Sequence, residues 1–177
     1  MATTAQPFAQ LAKECEAGGL SNSNSEKIGR ELAKAFNVKS DEVGILRVEE
    51  GQLVFCHPVK LQTVGKIPLS TKNSIAARTA NSRRAEIINH FANVKHTTIF
   101  EAVQLGDTPN SFVEPENSRP QIIQKIMSAP VVNGSDAVGV IQICRKGTSP
   151  ASAGADFTPT ELQKLVTCAE VLAKCFK

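Results

Sequence analysis

Residues 126–132 read IMSAPVV and residues 137–144 read AVGVIQIC, with Asn133-Gly134-Ser135-Asp136 between them. Asn-Gly between two aliphatic, β-branched runs is a strong hairpin signal, because the turn needs positive φ and glycine reaches it without a Cβ clash. In VGVIQIC the neighbouring residues are apolar rather than alternating, so both faces of that strand are expected to be covered. A two-sided strand inside a hairpin calls for an antiparallel sheet with a layer on each face.

Working outward, VGILRV (43–48) and QLVFCH (52–57) flank Glu50-Gly51 and predict a second hairpin. Single strands fit near 64–69 and 85–89. Helices are predicted over 8–17, where Phe8, Leu11 and Cys15 form one stripe before Gly18-Gly19. A second covers 25–36, with Ile28, Leu32 and Phe36 behind the cap-forming run SNSNS. A short helix near 73–81 offers little but Ala and Ile to a core. The last helix, 159–176, carries the fullest set of signals. Thr158 caps it, Pro159 suits its first position, Glu161 completes a capping box, and Phe157 with Leu162 forms a staple. Helix, hairpin, strand, helix, strand, loop, hairpin, helix is the order of an α+β domain with about six antiparallel strands.

Leu162, Leu165, Ala169, Leu172 and Phe176 stand at the spacing of a helix–helix seam, and Val166 with Ala173 adds a partial second stripe. A helix with two apolar faces can serve its own domain and a partner. A homodimer through the terminal helices is therefore expected. Residues 104–121 (QLGDTPNSFVEPENSRPQ) and 147–156 (GTSPASAGAD) read as loops, the first a pocket lid or an unstructured insertion.

Composition narrows the function classes. The 177 residues are 41% apolar and 21% charged, enough for one packed domain without disulfide or metal staples. There is no Trp and no Tyr, which excludes the usual aromatic cage and disfavours a base-stacking platform. A net charge of +3 is too small to argue for nucleic acid, and the cluster Lys72, Arg78, Arg83, Arg84 reads as a solvated helix end. The five cysteines (Cys15, Cys56, Cys144, Cys168, Cys175) form no CxxC pair, so zinc and thioredoxin-like sites are not indicated. Cys168 and Cys175 read as small core fillers, with a redox pair as the other possibility. No apolar h-region opens the chain and no apolar run approaches the ~20 residues of a membrane span. A cytoplasmic protein with no membrane partner is expected.

Three segments carry a family resemblance. KIPLSTKNSIAARTANSRRAEIIN (66–89) resembles the strand, short helix and strand of GAF domains, the small-molecule sensing modules of phosphodiesterases, phytochromes and bacterial signalling proteins. MSAPVVNGSDAVGVIQICRKG (127–147) resembles their central hairpin, and FTPTELQKLVTCAEVLAKCF (157–176) their closing helix. The resemblance runs from about residue 26 to 176 and looks like that of a stand-alone bacterial-type member. It implies a GAF-like fold, with terminal helices on one face of the sheet and a pocket-forming helix and loops on the other. Residues 1–24 would be an N-terminal helical extension and 25–177 the sensor domain.

The same resemblance directs the search for chemistry. Signalling phosphodiesterases carry a spaced Asn-Lys, Phe, Asp-Glu motif; the matching positions here are Arg145-Lys146, Phe157 and Glu161-Leu162. Two depart, and the cap and staple explain the rest, so the motif reads as structural. Cys56-His57 superficially resembles a bilin-attaching pair but ends an early strand, where a histidine beside a core cysteine is the plain reading. His90 and His96 have neither the spacing nor the carboxylate of a metal site. The expected ligand-binding residues are Ser74, Ile75, Arg78 and Thr79 on the short helix, Ile88 and Asn89 on the strand after it, and His96 and Thr98 beyond. Arg78 at a cavity rim would suit a carboxylate or phosphate; the alternative is a solvated arginine. No cofactor and no catalytic residue is expected.

Three readings follow. The first is a non-catalytic sensor or regulatory domain that binds an unknown small ligand and signals through a partner protein in trans. The second is a GAF-fold redox enzyme of the free methionine sulfoxide reductase type. The third is a scaffold whose vestigial pocket is filled by Ile75, Ile88 and Met127.

Overall fold

The computed structural model describes residues 5–63, 65–91 and 122–176. Two helices open the chain, α1 (Ala5–Glu16) and α2 (Asn22–Phe36), followed by the hairpin β1 (Val43–Glu49) and β2 (Gln52–His57). Next come β3 (Lys66–Pro68), α3 (Ile75–Ser82) and β4 (Glu86–Ile88). The hairpin β5 (Ile122–Asn133) and β6 (Asp136–Gly147) and the closing helix α4 (Pro159–Leu172) complete the order. The strands form one antiparallel sheet in the order β3-β2-β1-β6-β5-β4. This is the α+β, six-stranded arrangement expected from the sequence.

Local chemistry explains the elements. Ser21 caps α2 by accepting from the Asn24 amide, and Asn37 closes it in the left-handed region at φ 52. Glu50 and Gly51, both at positive φ, make the tight turn between β1 and β2. In the second hairpin Asn133 pairs with Asp136, so Gly134-Ser135 is the loop and only Gly134 takes positive φ. The turn is thus shifted by one residue, and glycine holds its first central position rather than the second that an Asn-Gly centre would give it. The closing helix has the predicted box, with the Thr158 side chain accepting from the Glu161 amide and the Glu161 carboxylate accepting from the Thr158 amide.

The sheet divides two apolar cores. On one face α1, α2 and α4 bury Phe8, Leu11, Ile28, Leu32, Phe36, Leu165, Leu172 and Phe176 against Val43, Ile45, Ile141 and Ile143. On the other, α3 lays Ile75, Ala76, Ala77 and Ala80 against Leu46, Leu53, Phe55, Ile126 and Val140. Leu165 and Leu172 are fully buried, each contributing roughly 1.5–3 kcal/mol by leaving water. The predicted seam on α4 is therefore an intrachain contact, and α1 packs beside it. Val166 and Ala173 are half-buried within the same core.

Pleat alternation corrects one expectation. Met127 was placed among the residues filling a pocket, but it faces the terminal helices; its neighbours Ile126 and Ser128 point the other way. Conversely, Cys144 lies fully buried on the α3 face.

Candidate functional site

Three of the expected ligand-binding residues, Ser74, Ile75 and Thr79, are buried on the α3 face. Ser74 caps α3, its buried hydroxyl accepting from the Ala77 amide at 3.0 Å. Ile75 and Thr79, one helical turn apart, both face the sheet and are buried. Thr79 Oγ1 lies 2.8 Å from the Ile75 carbonyl oxygen and 2.7 Å from Ser128 Oγ, and Gln142 Nε2 donates to Ser128 Oγ at 3.3 Å. A carbonyl only accepts and an amide N–H only donates, so the hydroxyl protons have one consistent arrangement. Gln142 donates to Ser128, Ser128 to Thr79, and Thr79 to its own helix. This polar thread joins α3, β5 and β6 inside an apolar layer, with all three side chains at 0% exposure. Its direct hydroxyl contact leaves no room for a ligand between Thr79 and the sheet.

Other expected residues take different positions. Arg78 is exposed and grips Glu86 at the start of β4 with two hydrogen bonds, Nε to Oε1 at 2.9 Å and Nη2 to Oε2 at 2.8 Å. Ile88 is half-buried beside the α3 core. Asn89, one step further along, turns toward the closing helix instead. Its amide donates to the Phe157 carbonyl at 3.1 Å and its oxygen accepts from the Phe157 amide at 2.9 Å. His96 and Thr98 lie outside the described residues, as does the predicted loop 104–121.

The predicted short helix and the family resemblance point to α3 but not to Ser128 and Gln142. The available signal was one polar residue in each of two otherwise apolar strands, IMSAPVV and VGVIQIC. A buried polar side chain needs a partner, and the two are paired across β5 and β6.

The positions compared above with the phosphodiesterase motif form a separate polar cluster at the end of β6. The Arg145 guanidinium sits 4.2 Å over the Phe157 ring, pairs with Glu161 at 3.2 Å and donates to the Ala155 carbonyl. Lys125 reaches the Gly154 carbonyl and Asp156, so two cations hold the 147–156 loop down. Glu42 accepts from the Lys146 amide at 2.6 Å. A concavity of about 380 Å³ lies between this cluster and Lys39. These contacts tie the 147–156 loop and the start of α4 to the end of β6.

All five cysteines are buried and free. Burial pushes the Cys56 and Cys168 thiols up to about 11 and raises Cys15 and Cys144 as well. Among the described residues no cluster of His, Cys, Asp and Glu is suited to a metal. No helix there is long and apolar enough to cross a membrane.

No protein-family model and no curated protein sequence matches the chain. Solved structures do. The GAF domain from an Acinetobacter phosphoenolpyruvate-protein phosphotransferase superposes with a TM-score of 0.67 at 13% identity, covering 99% of this chain and 94% of that one. The nlh2 GAF domain of A. aeolicus in an inactive state gives 0.56 at 12% identity, covering 98% and 95%. The free methionine-R-sulfoxide reductase of Neisseria meningitidis, in complex with its substrate, gives 0.59 at 15% identity, covering 99% and 92%. At these identities the likeness is one of fold, and the chain has a GAF-like fold.

Proposed function

We propose that this chain is a non-catalytic sensor or regulatory domain that binds a small molecule and acts on a partner protein in trans. The burial of every thiol carries this reading. Reduction of a sulfoxide by cysteine needs an accessible thiolate and a second thiol close by, and a thiol desolvated to about 11 is almost wholly protonated at neutral pH. The likeness to the Neisseria enzyme therefore supports the shared fold and not its reaction. GAF domains of larger proteins among the neighbours, one of them described in an inactive state, support a signalling role.

Within this reading the ligand sits on the α3 side of the sheet, near Ile88 and the Arg78 rim. Ser74 and Thr79 support α3 and do not touch the ligand. Without Trp or Tyr, the walls are aliphatic side chains and a few Phe, so a small aliphatic or anionic metabolite fits better than a planar chromophore.

Two measurements test the proposal. The purified chain, supplied with a dithiol reductant, should not consume free methionine sulfoxide; turnover abolished by cysteine-to-serine variants would make it an enzyme. A thermal-shift screen of small carboxylates and phosphate esters should find one that raises the unfolding midpoint in proportion to the logarithm of its concentration. Failure of every compound, together with a preparation free of bound small molecules by native mass spectrometry, would favour the scaffold reading. The absence of Trp and Tyr also leaves the protein nearly transparent at 280 nm, so any co-purified chromophore would dominate its spectrum.

A further inference from the structure

We propose that His57 is a protonation-sensitive latch between α2 and the sheet, closed while its imidazole is neutral and released when the ring takes a second proton. The argument starts with where the side chain points. Leu46 pairs with Phe55 and Ile45 with His57, so Cys56 is an extra residue in β2, and this bulge re-aims the strand end. Phe55 faces the α3 core and Cys56 the terminal-helix core. Simple alternation would send His57 back to the α3 side, yet its ring lies against Gly29 of α2. A Cβ built on Gly29 would stand 2.6 Å from the ring, so glycine is what permits the close approach.

The hydrogen bonds determine the tautomer. Nε2 lies 2.9 Å from the Ser40 carbonyl oxygen, which can only accept, so Nε2 carries the proton. Nδ1 is then a bare acceptor, buried, with no hydrogen-bond partner among the described residues. A second proton would go to Nδ1 and create a buried cation whose new N–H has no acceptor. That is the costly case for a polar group removed from water.

The charged groups around the ring come from each element packed on it. Glu26 of α2, Asp41 of the 40–42 turn and Lys60 of the 59–63 turn line a concavity of about 320 Å³ beside it, and β1 sets the apolar Ile45 opposite. The two carboxylates favour the cation, but burial outweighs them and holds His57 below its ordinary value. The unfolded chain takes the proton near the ordinary histidine value of about 6.5, and the folded chain only at lower pH. Stability contributed by the neutral ring is therefore complete above that value and is lost as pH falls through the lowered one. Its loss is local first, because the ring joins α2, the 40–42 turn and the end of β2.

Imidazole Cε1–H resonances followed from about pH 8 to about pH 5 test the proposal, with a histidine-containing model peptide as the reference. His57 should remain neutral through the range where a free histidine side chain takes its proton, and on further acidification the protection of α2 amides against hydrogen exchange, relative to their intrinsic rates, should fall more than that of β5 and β6. The urea midpoint of the wild type should drop on acidification more than that of His57→Gln, whose amide can still donate to Ser40 but cannot titrate. A His57 resonance that titrates at the ordinary histidine value, or acid slopes identical in the two proteins, would overturn the latch. Should His57→Gln fail to fold, removing His90 and His96 leaves the His57 signal assigned in the otherwise native chain, and its titration decides alone.

Discussion

Thr79 shows how much one hydroxyl can hold. It accepts from Ser128 and donates to Ile75, so its loss would leave a buried Ser128 donor facing a methyl group. Thr79→Val keeps the shape and should cost about 1–3 kcal/mol in urea denaturation, the usual range for a stranded buried donor. The double variant Thr79→Val, Ser128→Ala should cost less than the sum of the two single changes, because the contact between the hydroxyls is lost only once. Simple addition of the two single effects would mean that the thread carries no coupling. Gly139 makes the opposite kind of demand. A Cβ there would meet the Phe176 ring at 2.4 Å and the Leu46 carbonyl oxygen at 2.5 Å. Gly139→Ala should therefore destabilise by about 1–3 kcal/mol through overpacking, and an unchanged midpoint would show that the C-terminal Phe176 yields freely.

At the scale of elements, caps and turns explain why the predicted helices exist, and long-range contacts explain where they sit. The Thr158 box starts α4, and Thr158→Ala should cost about 1 kcal/mol, seen as a lower midpoint and faster exchange in the first turn. The short helix α3 is different. At eight residues it is too short to be stable alone, so its order depends on the alanines packed on the sheet and on the polar thread. The Arg78–Glu86 pair ties it to β4, but Arg78 is half exposed and water screens the contact. Arg78→Ala should change stability by less than about 1 kcal/mol. If it also abolishes binding of an anionic ligand found by screening, the rim assignment stands; unchanged affinity would remove Arg78 from the site. Edge strands β3 and β4 are three residues each, short enough to discourage pairing between sheets of different molecules.

At the scale of the whole molecule, the sheet separates a helix-covered core from the α3 core, and every cysteine is spent on packing one or the other. Native protein should react with a thiol reagent far more slowly than denatured protein, in which all five thiols become available; rapid labelling of any one would reopen the redox reading. The expected homodimer is testable by mass. Because α1 and the sheet already use the apolar stripes of α4, a second copy has little terminal-helix surface left to bury. A light-scattering mass of one chain at every concentration would end the dimer proposal, and a concentration-dependent rise to two would sustain it.

The sequence alone determined the element order, the two hairpins, the helix caps and the two-sided burial of β6, because these are properties of neighbours within a few residues. The periodicity of 159–176, the Thr158 box and the apolar run VGVIQIC needed no distant partner to be read. It also placed Ser74, Ile75 and Thr79 on one short helix, though not what they would touch. Only the tertiary structure decided which core each strand residue serves, because pairing register and bulges set that across long stretches of chain. Met127 went to the terminal helices, His57 was turned to Gly29 by the bulge at Cys56, and Asn89 was drawn to Phe157, 68 residues away. Thr79 likewise found Ser128 across 49 residues. A side chain's face follows from local pleat, but its partner depends on which strand lies opposite, and that is chosen by the packing of the whole sheet.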